Sequence, residues 1–330
     1  MAHGGQMYET TSAINVAKKY KNIYIETSSM FGIRIQNIVK KNLTNQIIFG
    51  SDTPTGDMEL EMKKIESIVK DENELNNIYS LNLMNLLREL IMIIDSHNHI
   101  GKRKGINFTA EEMIEWLDKA GVDACVVTSQ VETINNDYVA EMQKKYPDRI
   151  IGYAVVNPWE WEAEEELERC FRDLNLYGLK LNPTRHGFAL DRHEIVDPLF
   201  KICEKYNKPV LVHGQSDMFN MPGKFDEMAE TFPNVTLIMA HIGEPDAIDA
   251  AIRVAKRRKN VYIDTASVQL STLKKALKEI DPDKILMGTD APWGDFSLSV
   301  DLVKKATNNA EIQQKILGDN IIRVLNWDRK

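Results

Sequence analysis

From residue 90 onward, short apolar runs alternate with longer amphipathic stretches. The runs are Leu90–Asp95, Ala124–Thr128, Ile150–Val156, Gly178–Leu181, Pro209–Val212, Val235–Ala240, Val261–Ile263 and Ile285–Met287. Each is too short for a helix and rich in Val, Ile and Leu, which predicts strands buried on both faces. Between them the spacing predicts helices over Ala110–Ala120, Asp137–Lys145, Glu162–Phe171, Asp197–Tyr206, Ala247–Lys256 and Ser271–Ile280. Thr109 stands where a cap belongs before the first of these, and Pro245-Asp246 opens the one at Ala247. Eight strands alternating with helices over about 240 residues predict a closed (β/α)8 TIM barrel in residues 91–330. An open doubly wound sheet is the alternative, but no G-x-G-x-x-G follows the first strand.

The first 90 residues carry a different pattern, a partial repeat of the barrel's last three βα units. At a shift of 238 positions, Met1-Ala2-His3-Gly4-Gly5 falls on Met239-Ala240-His241-Ile242-Gly243. Likewise Gly50-Ser51-Asp52-Thr53-Pro54 falls on Gly288-Thr289-Asp290-Ala291-Pro292. Residues 1–54 match without a gap, with 20 identities. After one small length difference, Asn77-Ile78-Tyr79 resembles Asn320-Ile321-Ile322. Residues 1–90 are thus expected to be equivalent to 239–327. Three units cannot close a barrel and would leave apolar strand edges open. Two closures are conceivable, 91–330 in ordinary order or 1–238 in permuted order, because His3 and Asp52 duplicate His241 and Asp290. The ordinary one is expected, since its eight units are consecutive. A fused upstream neighbour, cut short at Met1, would account for the order.

Composition narrows the class. Apolar residues make up 43% and charged residues 27%, which is ordinary for a globular protein. With 49 acidic and 41 basic residues the net charge is −8, so a nucleic-acid partner is not expected. No run approaches a membrane span, and the N-terminus lacks a basic-then-apolar leader, so no membrane partner is expected either. Cys125, Cys170 and Cys203 are too scattered for a disulfide framework and point to a cytoplasmic protein. The composition leaves room for a homo-oligomer, and the N-terminal segment must pack on the barrel or another chain, or stay partly disordered.

Chemistry gathers at the ends of the predicted strands. In Ile94-Asp95-Ser96-His97-Asn98-His99, residues two apart share a strand face, so His97 and His99 point together into the barrel mouth. His213 ends the fifth strand, His241 the sixth, and Asp290 the eighth. Barrel active sites are built at these C-terminal ends, and two imidazoles on one strand are half of a first-row metal site. Each histidine alone reads equally well as a satisfied structural residue. Four of the seven, together with Asp290, do not.

The pattern D-x-H-x-H on strand one, His on five and six, and G-[ST]-D-x-P on eight resembles the amidohydrolase superfamily. Gly178-Leu179-Lys180-Leu181-Asn182-Pro183 narrows the likeness to its amidohydrolase-related branch of metal-dependent TIM-barrel hydrolases. The resemblance implies that His97, His99, His213 and Asp290 hold a divalent metal, usually zinc. It implies one ion, or two if Lys180 is carboxylated and bridges them. His241 would be a second-metal ligand or would orient or deprotonate the water, and Asp290 would ferry a proton. Asp95 is expected to support a ligand histidine from behind. Lys180 as a free amine would bind a substrate carboxylate or pair with Asp290. Arg185 and His186 read either as anion recognition or as a solvated basic loop. The expected activity is a metal-dependent hydrolase cleaving a C–O or C–N bond of a small carboxylate-bearing substrate. The alternatives are a non-oxidative decarboxylase of the same family and a non-catalytic fusion product.

Overall fold

The structure is a computed structural model that describes residues 1–5, 9–84, 86 and 92–327. The chain forms two compact units, Met1–Ile91 and Met92–Lys330, a boundary one residue later than the sequence pattern places it.

In the second unit, eight parallel strands run in chain order, each hydrogen-bonded to the next. They are Ile94–Arg103, Ala124–Ser129, Ile150–Val155, Gly178–Leu181, Val210–Val212, Leu237–Met239, Val261–Asp264 and Ile285–Leu286. The sheet curls until its ends meet. Backbone N–H groups of Ser96 and His99 donate to the carbonyls of Met287 and Ala291, and Asp290 donates to His97, each at 2.8 Å. The first strand differs most from expectation. Leu90 and Ile91 lie outside the described residues, and the strand runs on to Arg103 because it turns back at Gly105 and pairs antiparallel with Ile106–Phe108. Pro209 has no N–H to give a ladder, so the fifth strand begins at Val210.

The helices follow the predicted spans within a residue or two, except that Asp197–Tyr206 starts early, as His193–Lys205. Ala110–Ala120 carries a full capping box, in which Thr109 accepts from the Glu112 N–H and Glu112 accepts from that of Thr109. Asp246 does not cap its helix, which begins at Ile248 with Ala247 in the cap position. Side chains between sheet and helices form one core, and Ile94, Ala124, Ile151, Leu211, Ile238 and Leu286 fill the inside of the barrel. Ile321, Leu325 and Trp327 join that inner cluster. With one end of the barrel filled by hydrocarbon, polar side chains collect at the other, beyond the C-terminal ends of the strands. Among the described residues, no helix is long and apolar enough to cross a membrane.

The first unit holds a two-stranded parallel sheet, Ile25–Glu26 with Ile47–Ile48. Helices Thr10–Lys19, Gly32–Val39 and Met58–Ile68 accompany it. Its core is built from Ile14, Ile25, Ile35, Ile38, Ile47, Ile65 and Ile78, among others. Gln46 donates its side-chain amide to the carbonyls of Ala17, Tyr20 and Ile23, and Asn82 donates to those of Thr44 and Ile47.

Candidate metal centre and active site

Two strand ends bring His97, His99 and Asp290 together, with one ligand atom of each lying within 4.8 Å of the others. Asp290 reaches this place in the left-handed region, at φ 64°, as does His241 at φ 63°. Non-glycine residues rarely adopt that conformation, and here it turns both side chains off their strands and over the mouth.

Hydrogen bonds fix which nitrogen of each ring faces the centre. His97 Nδ1 lies 2.9 Å from the Asp264 carboxylate, which can only accept, so Nδ1 carries the proton and Nε2 the lone pair. Thr128 gives its hydroxyl proton to the Ser129 carbonyl and accepts from His99 Nδ1 at 2.8 Å, so His99 Nε2 is likewise free to ligate. His241 Nδ1 donates to the Ala266 carbonyl at 2.9 Å, which leaves Nε2 to accept from His213 Nδ1 at 3.1 Å. His213 thereby turns its own Nε2 lone pair outward. Partners that orient and polarise ligand imidazoles are the usual surroundings of a metal site.

The electrostatics point the same way. Burial, then the Lys180 ammonium, hold His97 well below the usual imidazole range. Burial and His241 bring His213 down to about 3. Both rings are therefore neutral near pH 7, as ligands must be. Burial alone would raise the Asp290 carboxyl, but its place among His97, His99 and His241 holds it below the usual carboxylate range, so the group is ionised. Its Oδ1 lies 3.3 Å from His99 Nε2 and 3.6 Å from His97 Nε2. Neutral nitrogen donors and one anionic oxygen suit a first-row divalent cation.

Lys180 is fully buried, with Nζ 2.6 Å from His97 Nε2. Burial pushes its ammonium down to about 8. Asp95 is also fully buried, and burial pushes its carboxyl up to about 7. It does not touch an imidazole, contrary to expectation. It accepts from the backbone of His97, the side chain of Asn98, and both the backbone and hydroxyl of Thr289. Asp95 therefore ties the first strand to the eighth, and the residue behind His97 is Asp264. Sequence reading missed it, although Asp264 ends the seventh strand and Glu26 stands in the matching place of the N-terminal segment.

His97, His99, Lys180, His213 and Asp290 line one cavity of about 430 Å³. Arg103, Glu132, Arg185 and Trp293 line it as well. Glu132 pairs with Arg103 at 3.0 Å and lies 3.5 Å from Arg185, and Arg103 lies over the Trp293 ring. Trp293 in turn meets His99 edge to face at 5.3 Å. His213 shares the cavity but stands outside the closest trio. His186 is turned away, bonded to the Val131 carbonyl. A cavity of about 500 Å³ beside helices Ile248–Arg257 and Leu270–Glu279 is lined by Asp249, Arg253 and Lys275, and no histidine enters it.

The sequence pattern of the amidohydrolase family matches residues 119–327. Gamma-resorcylate decarboxylase of Polaromonas sp. (strain JS666 / ATCC BAA-500) is 25% identical over 267 residues, covering 63% of this chain and 80% of that protein. In fold, the chain resembles 5-carboxyvanillate decarboxylase from Sphingomonas paucimobilis, with a TM-score of 0.60, 15% identity, and coverage of 72% of this chain and 100% of that one. It also resembles dihydroxybenzoic acid decarboxylase from Polaromonas sp. JS666, solved with bound manganese and the inhibitor 2-nitroresorcinol. There the TM-score is 0.59 at 17% identity, covering 72% of this chain and 98% of the other.

Proposed function

Because the chain belongs to the amidohydrolase family, we propose that it is a metal-dependent decarboxylase that releases CO2 from a small aromatic carboxylate. The observation that carries decarboxylation over hydrolysis is the likeness to gamma-resorcylate decarboxylase along most of that enzyme's length. The hydrolytic reading takes second place.

His97, His99 and Asp290 would hold a divalent ion, manganese or zinc, with His213 as fourth ligand. When bound, the ion supplies positive charge that fixes and polarises substrate oxygens. Lys180 keeps its free amine and faces the substrate carboxylate; a carboxylated Lys180 would instead bridge a second ion. Arg185, with Arg103, receives an anionic group at the mouth, and the exposed face of Trp293 packs on the ring. The reaction replaces a carboxylate by a proton on the same ring carbon, so a group over the cavity must deliver that proton. Asp290, ionised at rest, is placed to relay it from a substrate hydroxyl to the ring carbon, leaving a phenolate as CO2 departs, while His241 positions His213. The test is product analysis on hydroxybenzoates, lactones and amides with the manganese- or zinc-loaded protein. The expected products are CO2 and the matching phenol, and Asp290→Asn keeps the ion while turnover falls about 10²–10⁴-fold. Ring opening of a lactone, cleavage of an amide, or full activity of Asp290→Asn would overturn the assignment.

The same reading takes residues 1–90 as a partial repeat of 239–327. Strand register supports it: Ile25 faces Ile47 as Ile263 faces Ile285. So do the side-chain clamps, since Gln46 bonds the carbonyls of Ala17 and Tyr20 as Lys284 bonds those of Ala255 and Arg258. Asn82 bonds Thr44 and Ile47 as Asn320 bonds Pro282 and Ile285. On this reading the shift of 238 runs unbroken to residue 84, and Asn82, rather than Asn77, stands in the place of Asn320.

A further inference from the structure

In the second unit, residues 239–327 form the segment that closes the barrel around the first five strand–helix units, residues 92–238. Three of its contacts have a counterpart in the first unit that is left unused. Asn260 donates its side-chain amide to the carbonyls of Ala229, Phe232 and Val235, at 3.0–3.1 Å. Those acceptors all precede residue 239, and the identical Asn22 is exposed. Phe296 is buried and lines a hollow with Trp116 and Ala120 of the first barrel helix. Its counterpart Met58 is apolar too, yet 55% exposed. Ile321 is buried against Ile94 and Ala124, whereas Leu83 is 39% exposed. Leu298 supplies the control. It is exposed even in the closed barrel, and so is its counterpart Leu60. Exposure in the first unit is thus raised at positions where closing buries an apolar side chain.

We propose that residues 9–84 are a second closing segment, and that their partner is the five-unit body, residues 92–238, of a second copy of this chain. The inference rests on reading residues 1–90 as a repeat of 239–327. This chain carries the body that the contacts require: the three carbonyls for Asn22, the Trp116 face for Met58, and the Ile94 cluster for Leu83. Asp52 would then arrive beside His97 and His99 in the place of Asp290. One residue opposes the fit. A Cβ on Gly318 would lie 1.9 Å from the Met92 carbonyl oxygen, and Ser80 stands at that position in the first unit. Ser80 therefore biases the competition toward residues 239–327, and exchange in the unaltered chain is the minor state.

The experiment uses full-length chains whose own closing segment is impaired by Asn260→Ala and Phe296→Asp, studied by sedimentation and metal analysis. The expected result is a concentration-dependent dimer that retains bound manganese. Ser80→Gly increases the dimer several-fold, Asn22→Ala with Met58→Asp abolishes it, and Asp52→Ala removes its metal. A monomer that keeps manganese whatever stands at Asn22 and Met58 overturns the proposal. So does an unfolded chain that Ser80→Gly fails to recover. The repeat reading is tested separately by amide exchange of the unaltered chain. Slow exchange at Thr27 and Phe49, which donate to Ile48 and Ile78, upholds it, and fast exchange there rejects it whatever the dimer does.

Discussion

Asp264 decides what His97 can do. By accepting a hydrogen bond from Nδ1–H it commits Nε2 to the cavity, and a neutral amide in its place would hold the ring less firmly and make it a poorer donor. Asp264→Asn is expected to weaken metal binding about 10- to 100-fold, measured by chelator competition. Unchanged affinity would show that the ring is positioned by something else. His213 gives a second test. Its folded pKa of about 3 lies below the usual imidazole value, so between pH 6.5 and 3 the unfolded chain takes up a proton that the folded site refuses. This contribution lowers stability as pH falls through that range. Denaturant titrations of the metal-free protein should lose stability on acidification more steeply than those of His213→Asn. Parallel curves would mean that His213 titrates normally. At this scale the sequence was legible wherever a side chain faces the cavity at a strand end, as with His97, His99, Lys180 and Asp290. It was not legible for Asp264 and Thr128, because hydrogen bonds behind a cavity-facing histidine depend on register between strands far apart in the chain.

Among the elements, the end of the eighth strand carries the greatest demand. The strand is two residues long, yet the turn beyond it must deliver Asp290 to the first strand. Asn320 helps to hold it by donating to the Pro282 and Ile285 carbonyls at 2.8 Å. Asn320→Ala leaves buried carbonyl groups unpaired and is expected to cost about 1–3 kcal/mol in urea unfolding. A loss within a few tenths of a kcal/mol would show that water replaces the amide. The alternation of apolar runs located all eight strands, because strands buried on both faces have little freedom in composition. It placed the first strand's end wrongly, since Gly101-Lys102-Arg103 pairs through its backbone with Ile106–Phe108 and needs no apolar signature.

For the whole molecule, the second unit has its own closed sheet and continuous core, so removing residues 1–91 is expected to leave a folded barrel with its metal affinity intact. Loss of cooperative unfolding in that truncation would contradict the ordinary closure of the barrel. Elemental analysis of the purified chain beside His97→Ala and His99→Ala, each confirmed folded by circular dichroism, tests the metal centre itself. About one divalent ion per unaltered chain is expected, with a loss of more than about tenfold in either variant. An unaltered chain that binds no divalent ion when supplied with manganese or zinc, or variants that bind it equally well, would contradict it.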